Sequence, residues 1–187
     1  MPVEIDGQIC PIYVLVRPYV AEFLKRMHKI YELVIFTASL SKYAEPLMQQ
    51  LDPTQMCSYL LFREHCTFFN NAFVKDLTRL GRQMKDVIIV DNSPVAYLFQ
   101  PENAMPAVSW YDDKSDTELL RIANLLERIA QEDDVRKVVR TVISNNRIDP
   151  RQEQLYLASS RFHKRDKSQR VGGRGGNIDR SSGQVAP

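Results

Sequence analysis

Two unbroken apolar runs of strand length stand out along the chain: Leu33-Val34-Ile35-Phe36, closed by Thr37, and Val87-Ile88-Ile89-Val90, closed by Asp91-Asn92. Runs of this kind belong to parallel strands covered on both faces, and open α/β sheets place their chemistry at the C-terminal ends of such strands. Ile9 to Val16 reads as a further strand, and Ala107-Val108 as a short buried one. Tyr59 to Val74 is strand-like but broken by turns, with Asn70-Asn71 at a hairpin. Helical spacing of Val20, Phe23, Leu24, Met27 and Ile30 predicts a helix opened by Pro18 at its first position. Others are expected around Pro46 to Leu51 and Pro94 to Phe99. The box Ser115-Asp116-Thr117-Glu118 opens a helix striped by Leu119, Ile122, Leu126 and Ile129. Asp133 is placed to cap a last helix carrying Val135, Val138, Val139 and Val142, ended by Asn145-Asn146. The alternation predicts an α/β fold, a doubly wound parallel sheet with a small β-rich insertion. No internal repeat is present.

Charge divides the chain where the apolar pattern stops. Of its 187 residues, those up to Ser144 carry 16 basic and 19 acidic side chains, while 145–187 carry 9 and 4. Five of the seven glycines fall between Gly172 and Gly183, in a stretch without apolar periodicity. A folded domain over 1–144 and a basic, flexible tail over 145–187 are therefore expected. With 44% hydrophobic and 26% charged residues the composition is that of a globular protein. No apolar stretch approaches the ~20 residues that span a bilayer, and the first ten residues lack the features of a signal peptide, so a soluble intracellular protein is expected. Cys10, Cys57 and Cys66 have no Cys-x-x-Cys spacing, which predicts reduced, packed thiols rather than a disulfide framework or zinc site.

Several residues could carry chemistry at the sheet edge, and each has a plainer reading. Thr37 either bonds local backbone or offers a hydroxyl and amide to a phosphoryl oxygen. Asp91 and Asn92 are two oxygen-bearing side chains at a strand end, suited to a hard cation such as Mg2+, or to capping the helix that Ser93-Pro94 would begin. Lys75 is either a solvated charge or the counter-charge of a bound phosphate. Arg63 and Glu64 form a surface ion pair, or Arg63 is a guanidinium clamping a phosphate. Adjacent His65 and Cys66 point to opposite faces if extended, which excludes them as a base and nucleophile pair.

Taken together, VEIDG, RPYVAEFL, YELVIFTASLSKYAEPL, LFREHC, FVKDLTRLGR, VIIVDNSP, PENAMPAVSW and SDTEL resemble, in order and spacing, the small phosphatases that act on the RNA polymerase II C-terminal domain. These are aspartate-based Ser/Thr phosphatases with an FCP homology domain, of the haloacid dehalogenase superfamily. The resemblance covers residue 2 to about 143 and leaves the tail unexplained. It implies a haloacid-dehalogenase-like fold and phosphoryl transfer to an aspartate, with Mg2+ neutralising the phosphate. Thr37 would contact the phosphate, Lys75 would stabilise its charge, and Asp91 and Asn92 would hold the Mg2+. Arg63, Leu40 and Tyr43 would support substrate binding, and residues around Tyr59 to Val74 would form the insertion that helps select the peptide.

One element of the family pattern has no counterpart. The strand Asp-x-Asp-x-Thr, which supplies nucleophile and general acid, lies upstream of VEIDG in the family, and no Asp-x-Asp occurs in these 187 residues. The expectation is thus a domain truncated before that motif and lacking its central first strand, inactive on its own and exposing unpaired edges. The expected partners are phosphorylated Ser/Thr protein segments, in the nucleus or cytoplasm, with no membrane and at most weak nucleic-acid contact through the tail. The competing expectation is a non-catalytic phosphopeptide-binding or scaffold module.

Overall fold

The computed structural model describes residues 2–5 and 7–145, so the predicted tail lies, apart from Asn145, outside the described residues. Four strand pairs are present among them, each a two-stranded sheet of its own. Strands β1 (Pro2–Ile5) and β2 (Gln8–Pro11) form an antiparallel hairpin. Its turn contains Gly7 at φ 80°, a conformation that glycine adopts without a Cβ clash. Prolines face each other at the open end, Pro2 opposite Pro11, so neither can donate to a longer ladder. The strand predicted to reach Val16 therefore stops at Pro11, and Tyr13 and Leu15 stand 94% and 69% exposed.

Helix α1 (Val20–Met27) begins two residues after Pro18, because Tyr19 occupies the left-handed region at φ 66° and cannot be helical. It leads into β3 (Leu33–Phe36), then α2 (Ser41–Leu51). The latter starts five residues before the predicted Pro46, which is accommodated inside the helix. Strand β4 (Cys57–Leu61) pairs in parallel with β3. The region predicted as an insertion is thus divided: Tyr59 to Leu61 belong to a parallel pair. Only β5 (Thr67–Phe69) and β6 (Ala72–Val74) make the separate antiparallel hairpin, turned at Asn70 and Asn71.

A second parallel pair joins β7 (Ile89–Asp91) to β8 (Ala104–Pro106). Strand β7 keeps Ile89 and Val90 of the predicted run but starts two residues later, and β8 lies before the predicted Ala107-Val108. Asn103 draws the carbonyls of Met84 and Val87 to its amide, which holds Val87 outside the ladder. Val108 is 53% exposed and belongs to a loop rather than to the buried strand expected at Ala107-Val108. The helix expected over Pro94 to Phe99 is a series of turns instead. Ala96 offers its carbonyl to the Lys75 amide (2.8 Å), so Gln100 bonds Tyr97 and no i to i−4 ladder forms.

Helices α3 (Glu118–Ile129) and α4 (Val135–Asn145) complete the chain as described. Their starts differ from the predicted caps. Ser115 is held by Asp113, and Asp116 rather than Ser115 receives the Glu118 amide at 3.2 Å. Asp134, not Asp133, receives the Arg136 amide at 3.1 Å. Arg136 also bonds that carboxyl and holds it down to about 2. Ile122, Leu126 and Ile129 of α3 pack with Met27, Met105 and Val139 into the main core, against which Leu33, Ile88 and Val90 rest. Truncating a fully buried residue such as Ile122 would cost about 2–5 kcal/mol. The result is a mixed α/β fold whose two parallel pairs direct Thr37 and Asp91 out of their C-terminal ends. Among the described residues no helix is long and apolar enough to cross a membrane.

Candidate functional site

Thr37 follows β3 directly, and its amide donates to the Leu61 carbonyl (2.8 Å), fixing its backbone at the end of the β3–β4 ladder. Its hydroxyl oxygen accepts from the Ser39 amide at 3.1 Å, the local turn expected of such a residue, which leaves the O–H able to donate elsewhere. Leu40 sits at the N-cap of α2 in extended conformation, its carbonyl accepting from Tyr43 and Ala44. Leu40 and Tyr43 are both half-buried, and Lys42 Nζ lies 5.0 Å from the centre of the Tyr43 ring.

The Thr37 to Leu40 loop is clamped from the β4 side. Arg63 donates from its amide to the Ser39 carbonyl (2.9 Å) and from Nε to the Ala38 carbonyl (2.6 Å). Its guanidinium carbon lies 4.9 Å from the Phe73 ring centre, so one side chain bridges the loop and the β5–β6 hairpin. Arg63 makes no ion pair with Glu64: that carboxyl is held low first by its own amide and then by the Ser41 hydroxyl. His65 lies in a 3-10 turn, Arg63–His65, and not on the extended strand on which its exclusion as a base rests; its Nδ1 accepts the Phe62 amide (2.9 Å).

Lys75 leaves the end of β6 and reaches Asp91 at the end of β7, Nζ to Oδ2 2.5 Å, with side chains 12% and 10% exposed. Its ammonium lies 5.9 Å from the Phe36 ring centre, so the cation stands between the ends of the two parallel pairs. The other Asp91 oxygen accepts the Ser93 amide (2.8 Å), and the Asp91 carbonyl accepts from Ala107 (3.0 Å). Asn92 is exposed and donates from Nδ2 to Ser109 Oγ (3.0 Å), leaving its amide oxygen as an acceptor. Thus Lys75 and Asp91 are in direct contact, Arg63 bonds the loop that Thr37 begins, and Asn92 bonds Ser109.

Cys66, read from the sequence only as a packed thiol, belongs to this neighbourhood. Its Sγ lies 3.9 Å from the Thr37 carbonyl and 3.8 Å from that of Phe62. Burial pushes the thiol up, while Lys75 and Arg63 pull it partly back. No local pattern marks its place at the site, since the contact to Thr37 joins it to a residue 29 positions away. Among the described residues no three His, Cys, Asp or Glu side chains converge as a metal site. Of the residues read as metal holders, Asp91 brings a carboxylate and Asn92 an amide oxygen to the end of β7. Mg2+ binds through one or two carboxylates and keeps several waters or phosphate oxygens, so this small hard donor set suits its chemistry. In the arrangement described, however, both Asp91 oxygens already accept hydrogen bonds.

Residues 1–136 match the family model for NLI interacting factor-like phosphatase. Among curated proteins, the chain is 55% identical over 135 residues to the human CTD small phosphatase-like protein, a match covering 72% of this chain and 49% of that protein. It is 51% identical over 139 residues to a probable C-terminal domain small phosphatase of Dictyostelium discoideum, covering 74% of this chain and 45% of that one. The chain thus spans about half the length of the curated relatives it matches. Among solved structures, Fcp1, an RNA polymerase II CTD phosphatase, aligns at a TM-score of 0.45 and 20% identity over 85% of this chain and 51% of that one.

Proposed function

The chain belongs to the NLI interacting factor-like phosphatase family, and we propose that it provides the phosphate- and peptide-binding part of a protein Ser/Thr phosphatase. The observation that carries this reading is the largely covered Lys75 ammonium at the junction of the two sheet edges, in contact with Asp91 and 5.9 Å from the ring centre of Phe36, the residue before Thr37. A cation held there, with little water around it, attracts a phosphoryl group far more strongly than one on the open surface. In this reading Lys75 balances the phosphate charge and the Thr37 hydroxyl donates to a phosphoryl oxygen. Arg63 keeps the Thr37 to Leu40 loop in place, and Leu40 and Tyr43 line the path of the peptide. Asp91 and Asn92 would hold Mg2+, which neutralises phosphate charge when bound.

Substrates of this reading are phosphorylated Ser/Thr segments such as the RNA polymerase II C-terminal domain that names several relatives, met in the nucleus or cytoplasm. No Asp-x-Asp is available in the 187 residues to take the phosphoryl group. Loss of a nucleophile typically costs about 10⁴ to 10⁶ in rate, so the sequence as given would bind without measurable turnover. The test is hydrolysis of p-nitrophenyl phosphate with and without Mg2+, by this chain and by a version carrying an Asp-x-Asp-x-Thr strand ahead of Val3. Turnover only in the second, lost on Lys75→Met, is expected. Retained phosphopeptide binding with no turnover in either would make the chain a phosphopeptide-binding module.

A further inference from the structure

Arg17 lies far in sequence from Asp91 and Asn92, yet its guanidinium is built into the loop that carries Ser109. Nε and Nη2 bond the two oxygens of Asp116 at 2.7 and 2.8 Å, and Nη1 donates to the Val108 carbonyl at 2.7 Å. The pair is well covered, its side chains 14% and 16% exposed. Glu118 takes the other side of the same residue, its Oε1 accepting the Val108 amide at 3.1 Å. Val108 is thus held at both its N–H and its C=O. Its side chain is 53% exposed, so polar bonds rather than packing fix its place.

That fixed residue lies between two contacts to the candidate site. On one side the Ala107 amide donates to the Asp91 carbonyl (3.0 Å), and on the other Ser109 Oγ accepts from Asn92 Nδ2 (3.0 Å). Asn92 is itself exposed, and a solvent-facing amide needs a held partner to keep one orientation. We propose that Arg17 is a positioning residue for Asn92: by pinning Val108 it places Ser109, which takes the amide N–H2 and leaves the amide oxygen to a ligand. The link to ligand rests on the reading of Asn92 as a Mg2+ holder, whereas the link from Arg17 to Asn92 does not. A lysine would not substitute, since one ammonium cannot meet both Asp116 oxygens and the Val108 carbonyl as the planar fork does.

The test uses the full chain with Arg17→Lys, Arg17→Gln and the mild surface change Ser109→Ala, followed by the 15N relaxation of the Asn92 side-chain amide and by Mg2+ titration calorimetry in the presence of inorganic phosphate. In all three variants the amide order parameter is expected to fall into the flexible range, below about 0.6. Mg2+ affinity should drop about 10-fold, the size seen when partners of metal-holding residues are removed. The Arg17→Gln/Ser109→Ala double variant should be no worse than the weaker single. An unchanged Asn92 order parameter in folded Arg17→Gln, with only a lower melting temperature, would overturn the proposal and make Arg17 a stabilising residue alone. A loosened Asn92 with no Mg2+ binding even in the parent would uphold the positioning role and overturn the metal reading instead.

Discussion

Lys75 Nζ and Asp91 Oδ2 stand 2.5 Å apart at the ends of β6 and β7, both side chains almost covered. A charge pair in such a place loses much of its hydration, and removing one member leaves the other poorly compensated. Here only the Ser93 amide would remain to Asp91. Lys75→Met is therefore expected to destabilise the fold by about 2 kcal/mol, below the cost of breaking a fully buried pair because some solvent reaches both groups. Lys75→Met/Asp91→Asn should recover more than half of that loss. Urea unfolding of the parent, both singles and the double gives the coupling directly. Additive losses would mean that the two charges do not stabilise each other.

The β5–β6 turn makes a second expectation. Asn70 and Asn71 both have positive φ, 46° and 59°, the pattern of a tight hairpin turn that favours Asn-Gly. Asn71→Gly should raise stability by about 0.5 kcal/mol, since glycine adopts this conformation without a Cβ penalty. Asn71→Val should lower it by about 1–2 kcal/mol. Melting temperatures of the three forms should order Gly, Asn, Val. The reverse order would show that the turn is not formed as described.

This turn was legible in the sequence, as were the strand ends at Thr37 and Asp91, because each rests on local signals: apolar runs of strand length and residues that tolerate positive φ. Helix starts were not, because distant partners decide which side chain meets the first amides. Asp116 is placed by Arg17, 99 residues away, and receives the Glu118 amide that the predicted box gave to Ser115. The helix expected at Pro94 to Phe99 failed for a similar reason, its Ala96 carbonyl being taken by Lys75. At the site, the choice of residues could be read, but their pairing could not. Asp91 suggested a cation or a cap, and the structure gives its oxygens to Lys75 and the Ser93 amide. Arg17 escaped notice because its partners Val108 and Asp116 lie more than 90 residues away, and the Cys66 contact to Thr37 because it joins segments 29 residues apart.

Thiol chemistry offers a third expectation. Burial and the neighbouring Asp52 carboxylate push Cys57 up to about 12. At pH 8 its thiolate fraction is then about 10⁻⁴, against roughly a quarter for a free thiol. Alkylation of Cys57 by iodoacetamide in the native protein should be slower than that of free cysteine by on the order of 10³-fold. Asp52→Asn, which removes the charge beside the sulfur, should quicken it. Peptide mass mapping after timed alkylation reads both, and a Cys57 that reacts at the free rate would contradict the burial described.

Asp52 also links stability to pH. Its side chain, 6% exposed, ends α2 and accepts the amides of Met56 (2.9 Å) and Cys57 (2.8 Å) at the start of β4. Burial alone would raise its pKa, but those amides, the Cys57 thiol and His28 together hold it below the ordinary value of 3.8. The folded pKa is thus lower than the unfolded one, so the stabilisation is complete above the unfolded value, about 3.9, and drains away as pH falls through the folded value. At pH 7 Asp52→Asn should cost about 1–3 kcal/mol, because the amide keeps one acceptor and turns an N–H2 toward a backbone donor. On acidification the parent loses this contribution and the variant has none to lose. The gap between them should therefore narrow steadily from about pH 5 toward pH 2. Urea unfolding of both proteins at pH 7, 5 and 3 measures it. A gap that stays constant would assign the Asp52 contribution to the shape of the turn rather than to its charge.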